Sequence, residues 1–110
     1  MNNELELFIN ACIKKGLAEK TGDNIVGNKQ YVIIQSMYQV LRDNNRLHEL
    51  VDLLNHEDSY VKLWSAFYIL QIKPKEAEKV LKELSKIKGD IVGFSAKKTL
   101  EEWKKGNLIY

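Results

Sequence analysis

Sliding the sequence past itself by 31 residues lays apolar positions on apolar positions across two helical segments and the turn between them. Leu50 falls on Leu81, Leu53 on Leu84, Val61 on Val92, Ser65 on Ala96, Ile69 on Leu100 and Ile72 on Trp103. The interval from Leu50 to Val61 equals that from Leu81 to Val92, so the connection has one length in both copies. One amphipathic helix matches another by chance. Two helices and their link in a single register point to an internal repeat. A unit that cannot close its own core must be covered by its neighbour, which restricts the chain to stacked α-hairpins.

The remaining residues fit that scheme. Apolar residues recur at three- and four-residue steps, with Gly and Pro at boundaries, and strand signals are scarce. Residues 3–20 form a predicted helix with Leu5, Phe8, Ile9, Cys12 and Ile13 on one face. "TGDNIVG" (21–27) reads as a loop by its Gly, Asp and Asn content. A helix over 28–42 should bury Ile33, Met37, Val40 and Leu41, and a short one over 47–55 shows Leu47, Leu50, Val51 and Leu54. Asp58, with Ser59 as the alternative, stands where an N-cap belongs before a helix running to Ile72. Pro74 opens a fifth helix that buries Ala77, Val80, Leu81, Leu84 and Ile87. Gly89 breaks it, and Asp90 caps a sixth that ends at Gly106. The expected fold is all-α: a single domain over 1–110, with about six helices in a right-handed stack of three hairpins (3–42, 47–72 and 74–106). The long first connection makes the first hairpin the poorest match to the other two.

The two later hairpins differ as a stack requires. In the helix from 59, Val61, Ser65, Tyr68, Ile69 and Ile72 make one stripe, and Leu63, Phe67 and Leu70 make a second, roughly opposite. A helix apolar nearly all round is buried on several sides. The second stripe packs against the second or sixth helix or, if exposed, is an interaction patch. The last helix keeps only the first stripe and carries Lys97, Lys98, Glu101, Glu102, Lys104 and Lys105 elsewhere. It reads as a terminal cap with a wet outer face.

The residues "DSYVKLWSAFYIL" resemble the second helix of a HEAT repeat. More widely, His56, Asp58, Val61, Lys62, Trp64, Ser65 and Ala66, then Pro74, then Leu100, Trp103 and Gly106 resemble the pattern of a bacterial family of HEAT/armadillo-like repeats, a domain of unknown function. The likeness covers roughly residues 50–108. Ser65 stands where that pattern has alanine, and Lys62 where it has arginine, which loses bidentate bonding. The resemblance implies a HEAT/armadillo-like helical-repeat fold. By looser association, it implies an adaptor or an immunity protein that neutralises a bacterial toxin.

Composition removes several functions. A net charge of +2 is too small to imply a nucleic-acid partner, although the balance is −1 over residues 1–55 and +3 over 56–110. That surplus is all lysine, whereas phosphate and base readers favour arginine. The nucleic-acid alternative would use Lys62, Lys97, Lys98, Lys104 and Lys105. The longest apolar run, Ala66 to Leu70, is far short of the ~20 residues that span a bilayer. Acids at Glu4 and Glu6 stand where a secretory leader carries cations, and the one cysteine, Cys12, fits a reducing compartment. The expected location is the cytoplasm.

No reaction centre is legible. His56, Glu57 and Asp58 are consecutive, and residues adjacent on a turn do not converge on one metal; His48 lies outside the i, i+4 pairing of helical zinc sites. Cys12 sits on an apolar stripe with no histidine indicated nearby. Ser95 and Lys98 match Ser-x-x-Lys without its companion motifs, and no glycine loop has phosphate-binding spacing. No catalytic residue, cofactor or metal is expected.

The aromatic residues are the stronger lead. Tyr31 and Tyr38 lie on one edge of the second helix beside Gln35 and Arg42, and Trp64 and Tyr68 lie four apart on the fourth. Second helices of stacked hairpins line a concave surface, and Tyr, Trp and Arg are enriched where proteins meet. Tyr31, Gln35, Tyr38, Arg42, Trp64 and Tyr68 are therefore the candidate protein-binding residues. The competing reading is that the rings fill the core between units, with a polar tip on a partner group.

Overall fold

A computed structural model describes residues 3–110. The described residues form five α-helices and one 3₁₀ segment: α1 (Asn3–Thr21), α2 (Asn24–Asp43), the 3₁₀ segment (Leu47–Asn55), α3 (Ser59–Ile69), α4 (Pro74–Leu84) and α5 (Ile91–Lys105). Among the described residues there is no strand. Consecutive elements pack on one another: α1 on α2, the 3₁₀ segment on α3, α3 on α4, and α4 on α5. No helix of the described residues is long and apolar enough to cross a membrane.

The first connection is the shortest in the chain, not the longest. Gly22 takes φ +71°, which turns the chain in one residue without a Cβ penalty. The Asp23 carboxylate then accepts from the Val26 amide at 3.1 Å, so α2 starts at Asn24, four residues earlier than composition indicates. Gly27 belongs to the first turn of α2, where it is buried against α1. The residues that look like a loop are a cap and a close helix crossing.

The third element is 3₁₀ rather than α. Leu47, Leu50 and Leu53 are three apart, and in a three-residue turn such side chains line up on one edge. Its start is tied to α1: the Arg46 guanidinium donates to Glu4 Oε1 and Glu49 Oε2, both at 2.8 Å. These bonds hold both carboxyl groups below the usual carboxylate range.

Asp58 caps α3, its Oδ1 accepting from the Tyr60 amide at 2.8 Å and the Val61 amide at 3.1 Å. His56 supports the cap, because its Nδ1 accepts from the Asp58 amide at 3.0 Å. Asp90 caps α5 through the Val92 amide at 3.0 Å. Its carboxylate also accepts from the Tyr60 hydroxyl at 2.7 Å, tying the start of α5 to that of α3.

In five of the six pairs related by 31 residues, both members are buried. The exception is Ile72, which is 45% exposed because α3 ends at Ile69, whereas Trp103 remains partly buried and donates from Nε1 to Glu78 Oε2 at 3.1 Å. Ile87 also lies outside its expected helix, since α4 ends at Leu84 and Ile87 falls in the link to α5. In α2 the fully buried positions are Ile34, Tyr38 and Leu41, with Ile33, Met37 and Val40 only half-buried. The core stripe of α2 is therefore rotated toward Tyr38. Helix α3 is the centre of the molecule, packed by α1, the 3₁₀ segment, α4 and α5.

Candidate functional site

Three contacts fix how α2 lies beside α3 and the turn that follows it. Tyr31 meets Trp64 with ring centroids 5.8 Å apart, Gln35 Oε1 accepts from the Tyr68 hydroxyl, and Gln71 Nε2 donates to the Tyr38 hydroxyl at 3.1 Å. Each pair is 33 residues apart, and the numbers rise together, so the two helices run in the same sense. Contacts between α3 and α5 follow a similar offset. Tyr60 bonds Asp90, and Trp64 and Phe67 share a cleft with Ser95 and Thr99. Helices α2, α3 and α5 thus present side chains to one face.

The six candidate residues divide into a floor and a wall. Tyr38 and Tyr68 are fully buried and stacked, with centroids 4.0 Å apart and planes 13° from parallel. Phe8 of α1 meets Tyr68 edge-on at 6.2 Å. These two tyrosines are not surface anchors, which corrects their place in the expected ridge. Their rings pack between α1, α2 and α3, and their hydroxyls are absorbed by Gln35 and Gln71. Burial pushes the Tyr68 phenol far above its ordinary range, so it acts as a neutral hydrogen-bonding group.

Tyr31, Gln35 and Trp64 are brought together at the surface. They line a cleft of about 230 Å³ completed by Leu63 and Phe67 of α3, Ser95 and Thr99 of α5, and Ile109 beyond α5. No lining residue is charged. The Trp64 indole N–H is buried and has no acceptor among the described residues. Arg42 stands at the far end of α2, its guanidinium 5.4 Å from the Tyr38 ring and its Nε donating to Asp43 at 3.3 Å. It is not part of the cleft.

Sequence reasoning did not assign Ser95, Thr99, Ile109 or Tyr110 to this site. Ser95 carries a usable signal, because it is the 31-residue counterpart of Trp64. Tyr110 carries none: it follows the last helix, yet its ring lies 4.9 Å from Phe67 and its hydroxyl donates to the Phe67 carbonyl at 2.7 Å.

A second cleft, of about 530 Å³, lies between the 3₁₀ segment, α3 and α4. Val51, Leu54 and Val80 are among its apolar lining, while Lys62, Lys79, Glu76 and Glu83 bring both signs of charge to it. Among the described residues no three His, Cys, Asp or Glu side chains are placed to hold a metal ion. Lys98, of the Ser-x-x-Lys spacing, pairs with Glu102 at 3.2 Å. Cys12 is buried, and desolvation pushes its thiol well above the ordinary range, away from the thiolate that nucleophilic chemistry requires. No protein-family model, curated protein or solved structure matches this chain.

Proposed function

We propose that this chain is a non-catalytic, protein-binding helical-repeat domain, with three hairpins in a HEAT/armadillo-like stack whose second helices are α2, α3 and α5. The common sense of those helices and the offsets of 33 and 30 residues between their contacts support the stack. The observation that carries the function is the uncharged cleft crossing all three, walled by the exposed Tyr31 and half-buried Trp64. Aromatic anchors in a desolvated pocket supply most of the affinity in protein interfaces, whatever the total area. A buried thiol without a second cysteine suits the reducing cytoplasm. An adaptor or toxin-neutralising role is the finer form of this reading, and it rests on the resemblance of residues 50–108 alone.

The nucleic-acid alternative has less support. Lys62 shares its cleft with Glu76 and Glu83, and Lys98 is engaged by Glu102, so these cations do not form an uninterrupted phosphate track. The test is capture of partners from lysate by the tagged chain, followed by affinity measurement on Tyr31→Ala and Trp64→Ala. Each variant should weaken the captured partner by about 2 kcal/mol or more. Unchanged affinity in both removes this face as the site. Binding to nucleic acid that collapses steeply with added salt would favour the alternative.

A further inference from the structure

We infer that Asn107–Tyr110 is a displaceable strap over the aromatic floor, and that its seat takes an uncharged segment of the partner bearing a tyrosine. This deepens the protein-binding reading above and rests on it for the source of the incoming segment.

The strap is held at two points. At its start, the Asn107 amide donates to the Glu102 carbonyl at 2.9 Å, and its Nδ2 donates to Glu102 Oε2 at 3.0 Å. At its far end, Tyr110 lies against Phe67, with Tyr68 at 6.1 Å and Tyr38 at 6.4 Å between centroids. Between these points Leu108 packs on the core, while Ile109 is 90% exposed along the edge of the cleft. Nothing in the strap belongs to a helix, so it lifts without breaking one.

The Tyr110 hydroxyl serves a specific need. At the end of α3 the Leu70 amide bonds back to Ala66 and the Gln71 amide to Tyr68, which leaves the Phe67 carbonyl without a backbone donor among the described residues. A helix end leaves such carbonyls to be met from outside. Tyr110 supplies the donor from 43 residues away, so the seat is an aromatic slot with a main-chain acceptor at its base. It adjoins the uncharged cleft through Phe67. A tyrosine on an extended segment satisfies both halves, as Tyr110 does. A lysine would be desolvated there with no carboxylate in the adjoining cleft to offset its charge.

The experiment uses the full chain and a synthetic peptide reproducing residues 107–110, read by amide and indole N–H shifts in two-dimensional NMR. The two tryptophans make an internal comparison: Trp64 Nε1–H has no acceptor beside the cleft, whereas Trp103 Nε1–H is held by Glu78. In Tyr110→Ala the peptide should shift Trp64 Nε1–H and the Phe67 amide and leave Trp103 unmoved. Its apparent affinity for the unaltered chain should be about tenfold weaker, because a closed strap reduces the competent fraction. Tyr110→Phe, which keeps the ring and loses only the bond to Phe67, should fall between them. A peptide with lysine in place of the tyrosine should not bind.

Equal affinity for both chains, no shift in Tyr110→Ala, equal binding of the lysine peptide, or shifts shared by Trp103 would each overturn the proposal. So would a Tyr110→Ala chain that loses its dispersed spectrum, since the tail would then be core rather than strap. If the peptide behaves as expected while Tyr31→Ala and Trp64→Ala keep a partner fully bound, the partner reading fails and the strap stands. The opposite pair of results removes the strap alone.

Discussion

Helices α3 and α5 carry the same stripe at the same spacing, Val61-Ser65-Ile69 in one and Val92-Ala96-Leu100 in the other, yet α3 is covered on both faces and α5 on one. The second face makes the difference. Leu63, Phe67 and Leu70 of α3 correspond to Phe94, Lys98 and Glu101 of α5. Leu63 is 6% exposed, whereas Phe94 is 71% exposed. A shared stripe therefore does not decide how far the opposite side of a helix is covered. The hydrophobicity of a single residue does not predict its burial, since the larger side chain is the one in solvent.

That contrast gives the largest expected effects. Tyr68→Ala removes a fully buried ring from its stack and should cost about 3–5 kcal/mol in urea unfolding. Leu63→Ala should cost about 2–5 kcal/mol, whereas Phe94→Ala should stay within about 0.5 kcal/mol. Comparable losses at Leu63 and Phe94 would mean that α5 is covered by something in solution, most simply a second copy of the chain.

The first turns of the two helices differ in a second way. Lys62 of α3 lines the mixed-charge cleft, while its counterpart in α5 is Gly93. A Cβ at Gly93 would lie 2.0 Å from the Ile87 carbonyl oxygen, because the link from α4 folds back over the start of α5. That neighbour is backbone and cannot rotate away. Gly93→Ala should therefore cost about 1–3 kcal/mol or more, against a near-neutral Lys62→Ala. Thermal unfolding of the two variants side by side checks this, and an innocuous Gly93→Ala would show that the Ile87 turn is free to move.

The caps differ in charge coupling. Asp58 caps α3 alone, whereas Asp90 caps α5 and also accepts from Tyr60. The Val92 amide first, then the Tyr60 hydroxyl, hold the Asp90 carboxyl below its ordinary range. A depressed folded value means the stabilisation is complete above the unfolded carboxyl pKa of about 3.9 and is lost as pH falls through the lower folded value. Asp90→Ala should cost about 1–2 kcal/mol at neutral pH, in the upper part of the range for lost caps. The gap between Asp90→Ala and the unaltered chain should narrow as urea titrations move from pH 5 toward about 3. A gap independent of pH would show that Tyr60 and Val92 do not sense the charge.

These comparisons also show where the sequence could be read. Asp58, Pro74 and Asp90 act through atoms two or three residues away, so a local pattern finds them. The 31-residue register is legible because burial of a stripe repeats with it. The start of α2 was obscured because Gly27 looks like a turn residue, although its small size serves a crossing with α1. The 3₁₀ segment was not distinguishable, since Leu47, Leu50, Val51 and Leu54 satisfy α spacing equally. The division of the candidate site into floor and wall lay beyond local pattern. Tyr38 and Tyr68 are buried by each other across 30 residues, and nothing local separates them from the exposed Tyr31.

A small expected effect at Ser65 has the most informative sign. Ser65 and Ala96 share one position in the register and both are fully buried, but Ser65 Oγ has no hydrogen-bond partner among the described residues. A buried hydroxyl that makes no bond retains its desolvation cost and gains nothing in return, so removing it should not destabilise. Ser65→Ala leaves a void of one oxygen atom and makes the α3 stripe match that of α5. The expected change in urea unfolding is between zero and a gain of about 1 kcal/mol. A loss of more than about 1 kcal/mol would mean that the hydroxyl is bonded in solution, as a buried water would allow. In that case the α3 and α5 stripes would differ in chemistry as well as in cover, and the serine would be a fixed polar point inside the most enclosed helix of the fold.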